Sequence, residues 1–398
     1  MINLSNRINS IQESATIAMA QKARELKDLG NDVISLSLGE PDFKTPKHIQ
    51  DAAKQAIDEG KYFAYPPVPG YPELRKAIAE KLNRDNKIPS KPENIVVSNG
   101  AKHSIANALF CLVNPGDEVI IFSPYWVSYA DLVILAEGVP VFVDGGIDND
   151  FKATAAQLEK AITPKSKVLL FSSPCNPTGS VFTKDELSAI KDVLVKHEQI
   201  VVIADEIYEE INYTGEHVSI GAFPEMHNRT VTVNGFSKGA AMTGWRVGYI
   251  SAPIEIAKAC SKMQGQFTSG INSIAQRAAL AAMTGDQEPT KEMARTYLKR
   301  RNMVLELLND IPGLKTNVPT GAFYFFPDIS YYIGKSDGKT TIKTGDDLAM
   351  YILTSAHVST VGGDAFGAPN CIRLSYAASE SDLKEALKRM KETLAKLK

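Results

Sequence analysis

Cysteine is scarce in this chain of 398 residues. Cys111, Cys175, Cys260 and Cys371 stand far apart, with no CxxC pair, which counts against a disulfide framework and suits a reducing compartment. Histidine is scarce too: six are present, none at metal-ligand spacing, so no metal is expected. Net charge is nearly absent, and a formal −2 offers little for nucleic acid or an acidic membrane surface to recognise. No GxGxxG occurs, which argues against a dinucleotide-binding dehydrogenase. Gly334-Lys335-Ser336-Asp337-Gly338-Lys339-Thr340 resembles a phosphate-binding loop, but three residues separate its glycines where four are needed, so it reads as an exposed loop. The opening stretch, residues 1–19, has no uninterrupted apolar core and carries Arg7 and Glu13. It reads as neither signal peptide nor membrane span. A cytoplasmic protein is expected, with no nucleic-acid and no membrane partner.

What is present is the composition of a soluble globular protein, 44% hydrophobic and 23% charged. The length exceeds one ordinary core, and two domains are the natural division. Ser14-Ala15-Thr16 can cap a helix over 17–29 that Gly30 closes, and 33–38 is a short strand. Thr45-Pro46 and Pro72 open two further helices. Strands at 95–98, 119–122, 139–143, 168–172 and 200–204 then alternate with helices at 101–113, 126–137, 155–162 and 183–197. Several of these strands are continuous apolar runs, as expected when both sheet faces are covered. The fold class is α/β: a large domain with a mostly parallel sheet covered by helices. From Pro253 to about 309 the pattern is helical. Beyond it, 322–326 and 371–376 look like strands, and Leu383, Leu387, Met390, Leu394 and Leu397 mark one face of a final helix. The expected division is an N-terminal arm and part of the small domain over 1–45, a large domain over 46–309, and a small α+β domain over 310–398.

Polar clusters fall just after the strands, where α/β sheets collect ligands. Gly39-Glu40-Pro41-Asp42 is the first. Ser98-Asn99-Gly100-Ala101-Lys102 opens a helix, whose free backbone amides suit a phosphate. Trp126 follows the strand at 119–122 and can stack on a flat ring. Asn176, in Pro174-Cys175-Asn176-Pro177-Thr178-Gly179, can aim an amide at a ligand oxygen. Asp205, in Asp205-Glu206-Ile207-Tyr208, can pair with a protonated ring nitrogen. Each cluster alone has a plainer reading as a turn, a cap or core packing. Last come Lys238, after Ser237, and Arg246 eight positions on, in Thr243-Gly244-Trp245-Arg246. Alone they could be surface charges. Together, a lysine that forms an imine and an arginine that binds phosphate bidentately suit pyridoxal 5'-phosphate (PLP).

In this order the clusters resemble the class I PLP-dependent aminotransferases of fold type I, over nearly the whole chain. The resemblance is nearest to the bacterial aspartate aminotransferases, whose Ser-Ala-Thr and Gly-Glu-Pro-Asp-Phe runs match 14–16 and 39–43. It implies PLP as cofactor, carried as an imine by Lys238, which also moves the substrate α-proton. Asp205 would pair with the ring nitrogen, Tyr208 and Asn176 with the phenolic oxygen, and Trp126 with the ring face. Gly100, Ala101, Ser237 and Arg246 would hold the phosphate, joined by Tyr65 from a second subunit, which implies a homodimer with shared active sites. Arg373 would take the substrate α-carboxylate near the Gly39 backbone. Lys102 and Thr16 would meet a distal carboxylate, pointing to aspartate as amino donor and 2-oxoglutarate as acceptor in a ping-pong reaction. Alternatives are neutral or aromatic amino acids, prephenate, or a PLP lyase. Relatives that use prephenate tend to carry lysine at the place of Gln12, and relatives commonly carry Ala and an aromatic where Gly239-Ala240 stand here.

Overall fold

The computed structural model describes residues 2–398. Its centre is a seven-stranded sheet built from β1 (Ile95–Ser98), β2 (Glu118–Ser123), β3 (Val139–Asp144), β4 (Ser166–Ser172), β5 (Val201–Asp205), β6 (Thr230–Gly235) and β7 (Gly248–Ser251). The strand order is β1-β7-β6-β5-β4-β2-β3. β7 runs antiparallel to both neighbours and every other pairing is parallel.

The apolar runs of these strands now have a cause. Val119 and Ile121 of β2 pack into one buried cluster, with Ile105, Leu109 and Tyr129 from the crossover helices. Ile120 and Phe122 point the other way, into a second cluster with Leu158, Leu187 and Ile190. Both faces are covered, so no polar alternation survives in the sequence. The helices Ala101–Leu112, Ser128–Leu135, Ala155–Ala161 and Lys184–Leu194 make the crossovers. Parallel topology brings the carboxyl ends of β1, β2, β4, β5 and β6 to one edge. There the chain between β6 and β7 carries residues 236–247.

A smaller three-stranded antiparallel sheet follows, from Tyr324–Phe325, Val361–Gly362 and Ile372–Ser375, with Arg373 opposite Val361 and Leu374 opposite Phe325. Ile34–Ser35 pairs in parallel with Val358–Ser359. Met19, Ala23, Val33 and Leu36 share one core with Leu348, Ile352, Leu383 and Leu387, so the N-terminal segment packs with the C-terminal one. The helix Glu288–Asn309 lends Met293, Tyr297, Val304 and Leu308 to the same core. Two expected strands are shorter than read: 33–38 keeps ladder bonds only at Ile34–Ser35, and 322–326 only at Tyr324–Phe325. The helix Gly345–Ala356, opened by a Thr344/Asp347 capping box, stands where no element was expected.

Behind the sheet edge, Lys81 pairs with Glu209, whose other oxygen accepts from Asn86 at 2.6 Å. Glu206 accepts from Ser219 at 2.6 Å, with His217 Nε2 at 2.9 Å. Glu206, Glu209 and His217 lie close enough together to ligate a cation, but their facing atoms already pair with Lys81, Asn86 and Ser219. Among the described residues no helix is long and apolar enough to cross a membrane.

Candidate active site

A cavity of about 660 Å³ opens at the carboxyl edge of the large sheet, closed on its far side by Tyr324 and Arg373 of the small sheet. It gathers Thr16, Gly39, Ala101, Lys102, Trp126, Asn176, Asp205, Tyr208, Ser237, Lys238, Arg246 and Arg373, residues spread over nearly the whole sequence. Gly100 stands directly behind as the N-cap of the helix Ala101–Leu112. Tyr65 is the exception. Its side chain is 95% exposed and does not line this chain's cavity.

Lys238 reaches the cavity centre and donates from Nζ to the Gly39 carbonyl. Its Nζ lies 5.4 Å from the Tyr208 ring centroid. Burial, and then the positive charge of Arg373, pull its ammonium down to about 8. Asp205 ends β5 and is buried. Burial pushes its carboxyl up to about 6, against the hydrogen bonds from Tyr129 Oη at 2.7 Å and the Ile207 amide at 3.2 Å. The Tyr208 hydroxyl meets that of Tyr324 at 2.6 Å, and burial raises the Tyr208 phenol well above its usual value.

Arg373 is the largest fully buried side chain, 1% exposed. It donates from Nη1 to Asn176 Oδ1 at 2.9 Å and from Nη2 to the Ser37 carbonyl at 2.5 Å, while its Nε has no partner. No carboxylate pairs with it among the described residues. A guanidinium cannot accept, so this contact also fixes the Asn176 amide with its oxygen on Arg373, leaving the NH2 group free to donate.

At the other end, Arg246 donates to two backbone carbonyls, Thr243 at 3.0 Å and Asn99 at 3.2 Å. Gly100, at φ 80°, has no room for a side chain: a Cβ there would sit 2.5 Å from Arg246 Nη2. Gly248 is equally constrained, since a Cβ would strike the Gly100 and Ala101 backbone. Two glycines thus press the helix start, with its free amides, against the arginine. Lys102 stands at the exposed mouth, its Nζ 4.9 Å from the half-buried Trp126 ring centroid. Partial burial and the charge of Arg246 hold it below an ordinary lysine.

The cavity therefore offers one amine drawn down to about 8, one buried carboxylate with no ion-pair contact, and two separate anion-binding ends. Residues 31–390 match a family model described as aminotransferase class I and II. The chain belongs to that family. A probable aspartate/prephenate aminotransferase from Rhizobium leguminosarum is 46% identical, with 98% of each chain covered. The crystal structure of the aspartate aminotransferase from Rhizobium meliloti superposes with a TM-score of 0.96 at 41% identity, covering 100% of both chains. That of Thermus thermophilus aspartate aminotransferase with maleate gives 0.92 at 41% identity, over 99% of this chain and 100% of that one.

The aminotransferase cofactor is PLP, and the residues fit it. The Gly100–Arg246 cradle suits its phosphate. Asp205, buried and in hydrogen-bond contact only with Tyr129 and the Ile207 amide, suits a protonated ring nitrogen. Lys238, drawn down toward neutrality, suits its aldehyde. Two hydroxyl-bearing residues that meet the candidate site side chains, Tyr129 and Tyr324, carry no signal in the clusters after the strands. Tyr129 lies three positions after Trp126, on the same side of a helical turn, and that spacing is the one signal that could have marked it.

Proposed function

We propose that this aminotransferase exchanges the amino group of aspartate with 2-oxoglutarate, in two half-reactions at one site. The carrying observation is the pair of cations without carboxylate partners, Arg373 at the cavity floor and Lys102 at its mouth. A dicarboxylic amino acid supplies one anion to each. Thr16, half-buried on the cavity wall, adds a hydroxyl for the distal carboxylate. The Thermus relative that was solved with maleate, a four-carbon dicarboxylate, supports the same reading. Prephenate is a second substrate to test, because the Rhizobium leguminosarum relative is named for it.

Asp205, Tyr208, Asn176 and Trp126 would hold the PLP ring, and Gly100, Ala101, Ser237 and Arg246 its phosphate. Bound PLP supplies an aldehyde for the substrate amine and a ring that takes up the electron pair left at Cα. Arg373 orients the substrate by its α-carboxylate, while Lys102 selects its length. Lys238 takes the proton from Cα and would return it to the carbon on the far side of the substrate nitrogen, the one the cofactor's aldehyde supplies, a transfer favoured by a base whose pKa lies near working pH. Tyr208 and the Asn176 amide donate to the phenolic oxygen. Tyr65, exposed and remote from its own cavity, would reach the phosphate of a second copy, so we infer a homodimer with shared sites, in the cytoplasm. Residues 46–309 would form the large domain and 1–45 with 310–398 the small one, bridged by the helix Glu288–Asn309.

A panel of amino donors with 2-oxoglutarate tests the substrate. Lys102→Ala should lower kcat/KM for aspartate and glutamate by about tenfold, the size of one partly buried charge-assisted contact, and leave neutral donors within about twofold. Equal losses across the panel would remove Lys102 from substrate selection.

A further inference from the structure

We propose that Tyr129 is a positioning residue for the cofactor, fixing Asp205 through its hydroxyl and Trp126 through its ring. The inference rests on the reading of Asp205 as the partner of the ring nitrogen. Tyr129 is 0% exposed and lies in the first turn of the helix Ser128–Leu135. Its Oη donates to Asp205 Oδ2 at 2.7 Å. Its ring meets Trp126 edge to face, with centroids 5.6 Å apart and planes at 87°. Its amide donates to the Trp126 carbonyl at 2.9 Å. One buried side chain thus ties together the residue read as the ring's edge partner and the one read as its face partner.

The hydroxyl has a chemical task as well as a geometric one. The groups facing Asp205 are Tyr129, Lys238, Glu206, Tyr208 and Cys175. Of these side chains only Tyr129 hydrogen-bonds it, and the Ile207 amide holds the other oxygen. Burial and the adjacent Asp205 charge raise the Tyr129 phenol far above its usual value, so it remains a donor throughout the working pH range. A donor favours the ionised carboxylate. Without it, Oδ2 is left bare in a dry site, and Asp205 takes up a proton at higher pH. A protonated Asp205 no longer keeps a ring nitrogen cationic.

Tyr129→Phe keeps the ring against Trp126 and removes only the hydroxyl. In the PLP-loaded enzyme it should lower kcat by about 10- to 100-fold, the range for one hydrogen bond to a buried charge. KM for aspartate should stay within about twofold, because Arg373 and Lys102 are untouched. The acid limb of the kcat–pH profile should move to higher pH. The PLP dissociation constant, followed by the cofactor's absorbance without any turnover, should rise. Installing 3-fluorotyrosine at position 129, a stronger donor of nearly the same shape, should move the acid limb to lower pH. It carries the test should Tyr129→Phe fail to fold. An unmoved acid limb in the fluorinated enzyme, or wild-type kcat and PLP affinity in Tyr129→Phe, overturns the proposal. Failure of the wild-type protein to bind PLP would instead remove the reading on which it rests.

Discussion

Lys238→Ala should lower kcat for transamination by about 10⁴-fold, the upper end of what a general acid–base contributes, while the chain still folds. The large effect follows from one side chain serving twice: its amine is the attachment point for the aldehyde and then the carrier of the Cα proton. Lys102, held at the mouth against Trp126, is not at the cavity centre, and no other group there can replace Lys238. Asp205 is fixed by Tyr129 and the Ile207 amide, and the Tyr208 phenol is held far above neutral pH. The lowered pKa of Lys238 gives two further signs. Capture of PLP by the apo protein needs the neutral amine, so its rate should rise as pH rises through about 8. Stability of the apo protein should follow the same group. Its folded pKa lies below the unfolded one, so below about 8 the unfolded chain binds the proton more tightly and the folded state is penalised. That penalty fades as pH climbs toward the ordinary lysine value. Apo Lys238→Ala should therefore be more stable than apo wild type near neutral pH, with the difference shrinking in alkali; denaturant unfolding across pH measures it. Turnover by Lys238→Ala within about tenfold of wild type would contradict the assignment.

Arg373→Met has the second largest expected effect. Wild-type Arg373 is buried with a hydrogen bond to Asn176, another to Ser37 and a bare Nε, but no anion. Burying a cation without a counter-charge is unfavourable, and the arrangement makes sense if a substrate carboxylate completes it. Truncating one member of a buried charge pair costs about 2–5 kcal/mol, so kcat/KM should fall by about 30- to 4,000-fold for every amino donor. Stability should behave differently. Losing donors to Ser37 and Asn176 is offset by removing an unpaired buried charge, and thermal unfolding should shift by no more than about 1 kcal/mol. PLP content should be retained. A loss confined to dicarboxylic donors would mean that Arg373 and Lys102 have exchanged roles.

The large sheet was legible because its strands are buried on both faces and its turns carry proline and glycine. β1 falls at 95–98 as expected, and β2 to β5 fall within two residues of their expected ends. The small sheets were not, because two-residue strands such as Ile34–Ser35 exist only through a partner at Val358–Ser359, far away in sequence. Local pattern cannot encode such a pairing. The cavity residues were found by chemistry rather than by periodicity: a lysine, an aspartate and an arginine after strand ends stand out where a core is expected. Tyr129 and Tyr324 carry no such mark. A tyrosine among apolar neighbours reads as packing; beyond the spacing of Tyr129 from Trp126, only the partners of their hydroxyls, Asp205 and Tyr208, set them apart. Tyr65 keeps its expected role as a proposal, because one chain offers it nothing to touch.

The most direct test is a single half-reaction. The PLP-loaded protein is mixed with L-aspartate, with no 2-oxo acid present, while the cofactor's visible absorbance and the released 2-oxo acid are followed together. One equivalent of oxaloacetate should appear per bound cofactor, with loss of the aldehyde-form absorbance and its return when 2-oxoglutarate is added. An unchanged spectrum with no 2-oxo acid released, from protein shown to hold PLP, would contradict the proposed transamination.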